Sequence, residues 1–208
     1  MAKVLFIKAN DRPVEQAVSV KLYDAFLKTY KEANPQDQIT ELDLFALNLP
    51  YYGNTTITGQ FKLAQGIEPT AEEKKLADLA NQYLDQFLAA DKVVVAYPLW
   101  NFTVPAPLIT YMSYLSQAGK TFKYTAEGPV GLAGNKKVAL LNARGGVYST
   151  PPMDAIEMAH KLVKTTFGFW GINQTEDVII EGHNADQQRS AEIIEAGLRK
   201  AAEVASKF

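Results

Sequence analysis

Two short runs, KVLFIKA at residues 3–9 and KVVVAY at 92–97, constrain the fold more than anything else in this 208-residue chain. Each is apolar at successive positions rather than alternate ones, so as a strand it needs cover on both faces. Such strands belong in the middle of a parallel sheet with helices above and below, and the rest of the chain supplies the helices. From about Val14 to Asn34, apolar residues recur at helical spacing (Val18, Leu22, Phe26 and Tyr30, with Ala25 and Leu27), and Pro35 closes the stretch. QITELDL (38–44) alternates as a second strand. TAEEKKLADLANQYLDQFLAA opens at Thr70, which forms a capping-box pattern with Glu73. A third helix is expected from Pro105 to Gln117, with proline near its start, where a missing N–H does least harm. KVALLNA (137–143) and EDVIIEG (176–182) read as the fourth and fifth strands, and 153–167 and 187–206 as the last helices. Residues 45–69, with Pro50, Gly53, Gly59 and Gly66, read as a mixed loop long enough to be a candidate functional segment, and 119–136 as a Gly-rich loop or small hairpin.

Strands and helices thus alternate, ending in a helix, and alternation of this kind argues for an α/β fold. The expectation is a flavodoxin-like three-layer sandwich over residues 1–208 as a single domain, with a five-stranded parallel sheet of order 2-1-3-4-5 and helices on both faces. Ligands of such sheets bind beyond the strand C-termini where the order reverses, between the first and third strands. Composition removes other classes. Lys and Arg number 21 against 23 Asp and Glu, so no global field draws in nucleic acid or an anionic membrane. The absence of cysteine rules out disulfides, thiolate metal sites and thiol nucleophiles. No 18-residue apolar span and no signal-peptide pattern occurs, which makes the cytoplasm the default location. The Asp and Glu residues show no metal-ligand spacing, and His160 and His183 read as structural or solvated.

Three loops leave the strand ends nearest the switch point. KANDRPVEQAVSV (8–20) enters a helix whose free N–H groups suit an anion, with Asn10 and Ser19 as polar side chains. It contains neither GxGxxG nor GxxxxGK[ST], and most loops of this kind bind nothing. YPLWNF (97–102) sets aromatics and one amide beside the sheet end, as a simple helix-entry turn also could. NARGGVYS (142–149) carries Gly145–Gly146, a pair that usually marks a tight turn but also permits close backbone approach to a ligand, with Arg144 and Tyr148 beside it. Together they suit a phosphorylated planar cofactor, of which FMN is the obvious case.

At AYPLWNFTVPAPLITYMSYLSQAGKTFKYTAEGP (96–129), NARGGVY (142–148), FGFWGI (167–172) and VIIEG (178–182), the chain resembles the FMN-dependent NADH-azoreductases, flavin quinone and azo-dye reductases related to flavodoxins. The resemblance runs essentially end to end. It implies that Pro98, Leu99, Trp100, Asn101 and Phe102 hold one side of the isoalloxazine. It implies that Ala143, Arg144, Gly145 and Gly146 hold the pyrimidine edge, with Ala143 where the family has serine and Tyr148 nearby. Asn10, Ala17, Val18 and Ser19 occupy the family's serine-rich phosphate loop, and only Ser19 keeps a hydroxyl, so backbone N–H groups carry more of the binding. Tyr124 and Phe169 match aromatics of family substrate pockets. The resemblance further implies noncovalent FMN, one per subunit, NADH or NADPH as donor, two-electron ping-pong reduction of quinones and azo compounds, and a homodimer. The flavin carries the electron chemistry, so no catalytic side chain is expected. The competing class is a flavodoxin-type electron-transfer protein, which is usually shorter and strongly acidic. A phosphate-accepting receiver domain would need a carboxylate directly after the third strand, where Tyr97–Pro98 stands.

Overall fold

Continuous apolar runs need cover on two sides, and each of the central strands receives it. The structure is a computed structural model describing residues 1–208. Strands β1 (Lys3–Lys8) and β3 (Lys92–Pro98) pair in parallel, with β2 (Gln38–Asp43) outside β1 and β6 (Lys137–Arg144) then β7 (Glu176–Glu181) outside β3. The sheet order is therefore β2-β1-β3-β6-β7, the order expected for a flavodoxin-like fold. The remaining two strands, β4 (Phe122–Thr125) and β5 (Gly128–Gly131), form a separate antiparallel hairpin within the stretch read as a loop or small hairpin.

Side chains alternate across the sheet and fill two cores. Val4, Phe6, Val94, Ala96, Ala139 and Leu141 face α1 (Val18–Ala33) and α6 (Ser190–Lys207), whose Leu22, Phe26, Tyr30, Ala201 and Ala205 are buried against them. Leu5, Ile7, Val93, Val95, Tyr97, Val138 and Leu140 face α3 (Ala71–Ala89), α4 (Ala106–Leu115) and α5 (Ala159–Phe169). Phe6 anchors the first core, with Tyr23, Phe26 and Tyr30 edge-on to it at 5.6–6.1 Å between centroids. Each fully buried side chain of this size contributes about 1.5–3 kcal/mol. Pro98 is tolerated because it is the last residue of β3, where the ladder has no further need of an N–H.

Three differences from the sequence reading bear on the packing. Helix α1 starts at Val18 rather than near Val14, since residues up to Gln16 turn back through the Gln16 N–H to Pro13 carbonyl bond. The last-but-one helix is preceded by a separate 3₁₀ turn, Met153–Ile156, after Pro151–Pro152. Most notably, residues 45–69 are not all loop: Asn54–Ala64 form α2. Its weak propensity, with three threonines and Gly59, is overridden by packing on α3. The capping box of α3 is present, and Glu73 also receives Lys62 Nζ from α2 at 2.7 Å. At Gly59 the two helices approach so closely that a β-carbon would lie 2.3 Å from the Glu73 carbonyl oxygen. Gly59→Ala is therefore expected to destabilise the protein by about 1–3 kcal/mol, the usual cost of overpacking, despite alanine's better helix propensity. Denaturant unfolding checks this, and an unchanged or raised midpoint would contradict it.

Candidate functional site

The parallel register brings three strand ends level. Lys8 is paired with Ala96, Tyr97 with Asn142 and Pro98 with Ala143, so the loops after β1, β3 and β6 begin side by side. The Ala9 N–H donates to the Ala96 carbonyl at 2.9 Å and the Leu99 N–H to the Ala143 carbonyl at 2.9 Å, extending the ladder into the loops. Asn10 is buried; its Nδ2 donates to Ser19 Oγ at 2.9 Å and its Oδ1 accepts the Arg12 N–H at 2.9 Å. That side chain ties the loop to the helix it feeds. The N-cap of helix α1 is Ala17, which offers no side-chain cap, and the first turn holds no acidic residue, so the leading N–H groups and dipole are left for an outside acceptor.

The second loop is a tight reversal. Trp100 and Thr103 exchange N–H to carbonyl bonds at 2.9 and 3.0 Å, and between them Asn101 and Phe102 both take positive φ, 49° and 68°. For Phe this is a strained conformation, held because the flanking bonds over-determine it. Trp100 packs edge-on to Phe45 at 6.0 Å, and Phe102 sits 6.5 Å from Tyr148. In the third loop, a β-carbon at Gly145 would lie 2.5 Å from Asn184 Nδ2, and the Asn184 N–H donates to the Gly145 carbonyl at 2.9 Å. The glycine thus admits the β7–α6 turn as well as any ligand. Arg144 is buried with Nε 3.3 Å from Glu181 Oε2, so its charge is balanced inside the protein rather than offered to the crevice.

These pieces enclose a cavity of ≈ 380 Å³. Of the expected residues, Asn10, Ala17, Val18, Ser19, Pro98, Leu99, Trp100, Ala143 and Gly145 line it. Asn101, Phe102, Arg144, Gly146 and Tyr148 belong to the same two loops but do not line it. Tyr124 and Phe169 lie elsewhere, clustered on Phe122 at 5.5 and 4.5 Å, with Tyr124 73% exposed. The wall also includes Arg12, Gln16, Lys21, His183 and Asn184. His183, read from sequence as structural or solvated, lines the cavity with its Nδ1 buried and unpartnered. The polar GHN run directly after the fifth strand was the available signal. A second cavity, ≈ 520 Å³, lies among Gly134–Val138 and Gly171–Glu176 at the opposite, N-terminal strand edge, where such folds do not bind ligands.

A family model described as Flavodoxin-like fold matches residues 2–205. Over all 208 residues and the full length of both chains, the sequence is 66% identical to the FMN-dependent NADH:quinone oxidoreductase of Brevibacillus brevis, strain 47, and 60% identical to FMN-dependent NADH:quinone oxidoreductase 1 of Bacillus subtilis, strain 168. The chain belongs to the FMN-dependent NADH:quinone oxidoreductases. Among solved structures, the azoreductase from Bacillus anthracis strain Sterne superposes with a TM-score of 0.98 at 60% identity over the whole of both chains. An FMN-dependent NADH-azoreductase from Bacillus anthracis strain Ames Ancestor, solved in complex with FMN, superposes with a TM-score of 0.90 at 30% identity over 100% of this chain and 99% of that one.

In this member of the quinone oxidoreductases, a partly buried network holds the residue before the aromatic loop. Tyr97 is fully buried at the end of β3, and burial holds its phenol far above the ordinary range, followed by the charges of Asp177 and Glu157. The protonated phenol donates to His160 Nδ1 at 2.9 Å, which leaves Nε2–H to donate to Asp177 Oδ2 at 3.1 Å. Burial raises the Asp177 carboxyl, but hydrogen bonds from His160, Lys164 and Thr175 outweigh it, and the net shift is well downward. A depressed carboxylate contributes stability that is present above its unfolded pKa and is lost as pH falls through the folded one. Asp177→Asn should therefore remove part of the stability seen above about pH 4 and flatten its decline below that. Thermal melts from pH 7 to pH 2 check this, and parallel curves for variant and parent would contradict it. Tyr97→Phe, which strands the partly buried His160 Nδ1, should cost about 1–3 kcal/mol in denaturant unfolding, and an unchanged midpoint would contradict it.

Proposed function

We propose that the crevice beyond β1, β3 and β6 binds FMN noncovalently and that the protein is an FMN-dependent NADH:quinone oxidoreductase that also reduces azo compounds, working without a protein partner. The observation that carries this is the opening of an uncapped, acid-free helix N-terminus into the same cavity as an aromatic turn and a glycine turn. A phosphate fits the first feature and a flat ring the other two, so the residues present suit the cofactor. Bound there, FMN supplies the hydride-accepting and hydride-donating centre that connects NADH to the quinone or azo acceptor.

The chain's own residues position and shield. The N–H groups of Val18 and Ser19 hold the phosphate, with Ser19 Oγ kept in place by Asn10. Pro98, Leu99 and Trp100 carry the ring's flank on a loop pinned to Ala143. Asn101 and Phe102 form its outer rim, and the backbone around Gly145 and Gly146 faces the polar edge, where N–H donors favour negative charge. Tyr124 and Phe169 serve the acceptor. Since they stand away from the crevice of their own chain, we propose that they act on the crevice of a second copy in a homodimer. No helix is long and apolar enough to cross a membrane, and NADH as donor supports a cytoplasmic setting.

Purified protein should be yellow or take up FMN on reconstitution, prefer it to FAD, and oxidise NADH with a soluble quinone as the only other reactant. A protein that takes up no FMN, or needs a protein acceptor, would sink the proposal. Phe169→Ala should lower quinone turnover several-fold while leaving FMN affinity near the parent's, because a lost ring contact is worth about 0.5–1.5 kcal/mol beyond its area. Equal turnover would remove Phe169 from the acceptor site.

A further inference from the structure

We propose that His183 takes up a proton when the phosphate of FMN arrives at the first turn of α1, so that cofactor binding is proton-linked. This rests on the FMN reading above and deepens it. The imidazole sits in the wall of the same cavity as Ala17, Val18 and Ser19, and its Nδ1 is buried with no hydrogen-bond partner. With no protein acceptor at Nδ1, nothing in the chain holds the ring as a cation before an anion arrives. The turn that carries it is fixed: the Gly182 N–H donates to the Gly146 carbonyl at 3.1 Å, and the Asn184 N–H to the Gly145 carbonyl at 2.9 Å. His183 is therefore held against the glycine turn on one side and faces α1 on the other.

The surroundings set the sign. The other titratable groups lining the cavity are Arg12, Glu15 and Lys21, the last from α1 itself. Ser190, the first residue of α6, brings a second helix N-terminus to the wall, and α6 has no side-chain cap there. On its own segment, Glu181 is committed to the Tyr148 N–H, Ser149 and Arg144, and Asp186 accepts the Arg189 N–H. Glu15 is thus the one lining carboxylate set against two cations and two helix dipoles. With no anion bound the imidazole is held neutral: burial pushes its pKa down, and Lys21 adds to this. A phosphate reverses that local field, and the proton, drawn from water, converts the imidazole to a cation with N–H donors on both ring nitrogens. A group whose pKa is raised by binding strengthens binding fully below its free-state pKa. That gain is lost as pH rises through the bound-state pKa, at up to about tenfold in affinity per pH unit between the two.

Calorimetric titration of the FMN-free protein with FMN, in buffers of differing ionisation enthalpy, counts the protons exchanged. The phosphate's own second ionisation, near pKa about 6, is shared by parent and variant and cancels in their difference. The parent should take up several tenths of a proton more per FMN than His183→Gln near neutral pH. FMN affinity of the parent should fall more steeply than that of the variant as pH rises, and riboflavin, which lacks the phosphate, should show no such difference. If His183→Gln folds poorly by circular dichroism, His183→Asn is read in the same way. FMN binding with equal proton counts in parent and variants, or an equal difference with riboflavin, would overturn this inference alone. Failure of the parent to bind FMN would overturn the functional reading and this inference with it.

Discussion

The parallel pairing of β3 with β6, flanked by β1, is the constraint on which the site depends. With Pro98 opposite Ala143 and Lys8 opposite Ala96, three chain segments leave the sheet at one level. A slip of one residue in either ladder would turn every side chain to the other face and exchange the contents of the two cores. Register is consequently enforced by both cores at once, and the loops inherit it. The Leu99 N–H to Ala143 carbonyl bond is the point where that order passes from the sheet into the aromatic turn. The Tyr97–His160–Asp177 chain braces the same point from the α5 face.

Much of this was legible because it follows from short-range chemistry. KVVVAY admits one kind of environment, and alternation with helical stretches admits few topologies, so sheet order and both central strands could be read directly. The Thr70–Glu73 capping box was equally local. The loops proposed for phosphate and ring could be located because proline, glycine and aromatic residues cluster where strands stop. Their joint fit to a phosphorylated planar cofactor pointed to FMN, and the resemblance to the azoreductase family, with its proline–aromatic–asparagine loop and Arg-Gly-Gly turn, pointed the same way.

What escaped reading depends on contacts between distant segments. Helix α2 has poor propensity and exists because Gly59 lets it lie on Glu73 of α3. Gly145 read as room for a ligand, yet its missing β-carbon first makes room for Asn184, 39 positions onward along the chain. Arg144 read as a charge for the crevice, but Glu181 on the neighbouring strand neutralises it. His183 looked like an ordinary loop histidine until the β7–α6 turn was folded against the glycines. Tyr124 and Phe169 belong to an aromatic cluster on the hairpin side, a placement that their spacing in sequence does not reveal.

The central claim is that one crevice, at the C-terminal strand edge, holds the cofactor by the first turn of α1. A crystal structure of the protein grown with FMN tests it most directly. The account predicts the phosphate within hydrogen-bonding reach of the Val18 and Ser19 N–H groups, with the ring between the Pro98–Phe102 turn and Gly145. Density for FMN in the cavity at Gly134–Val138, or a phosphate held away from α1, would contradict it.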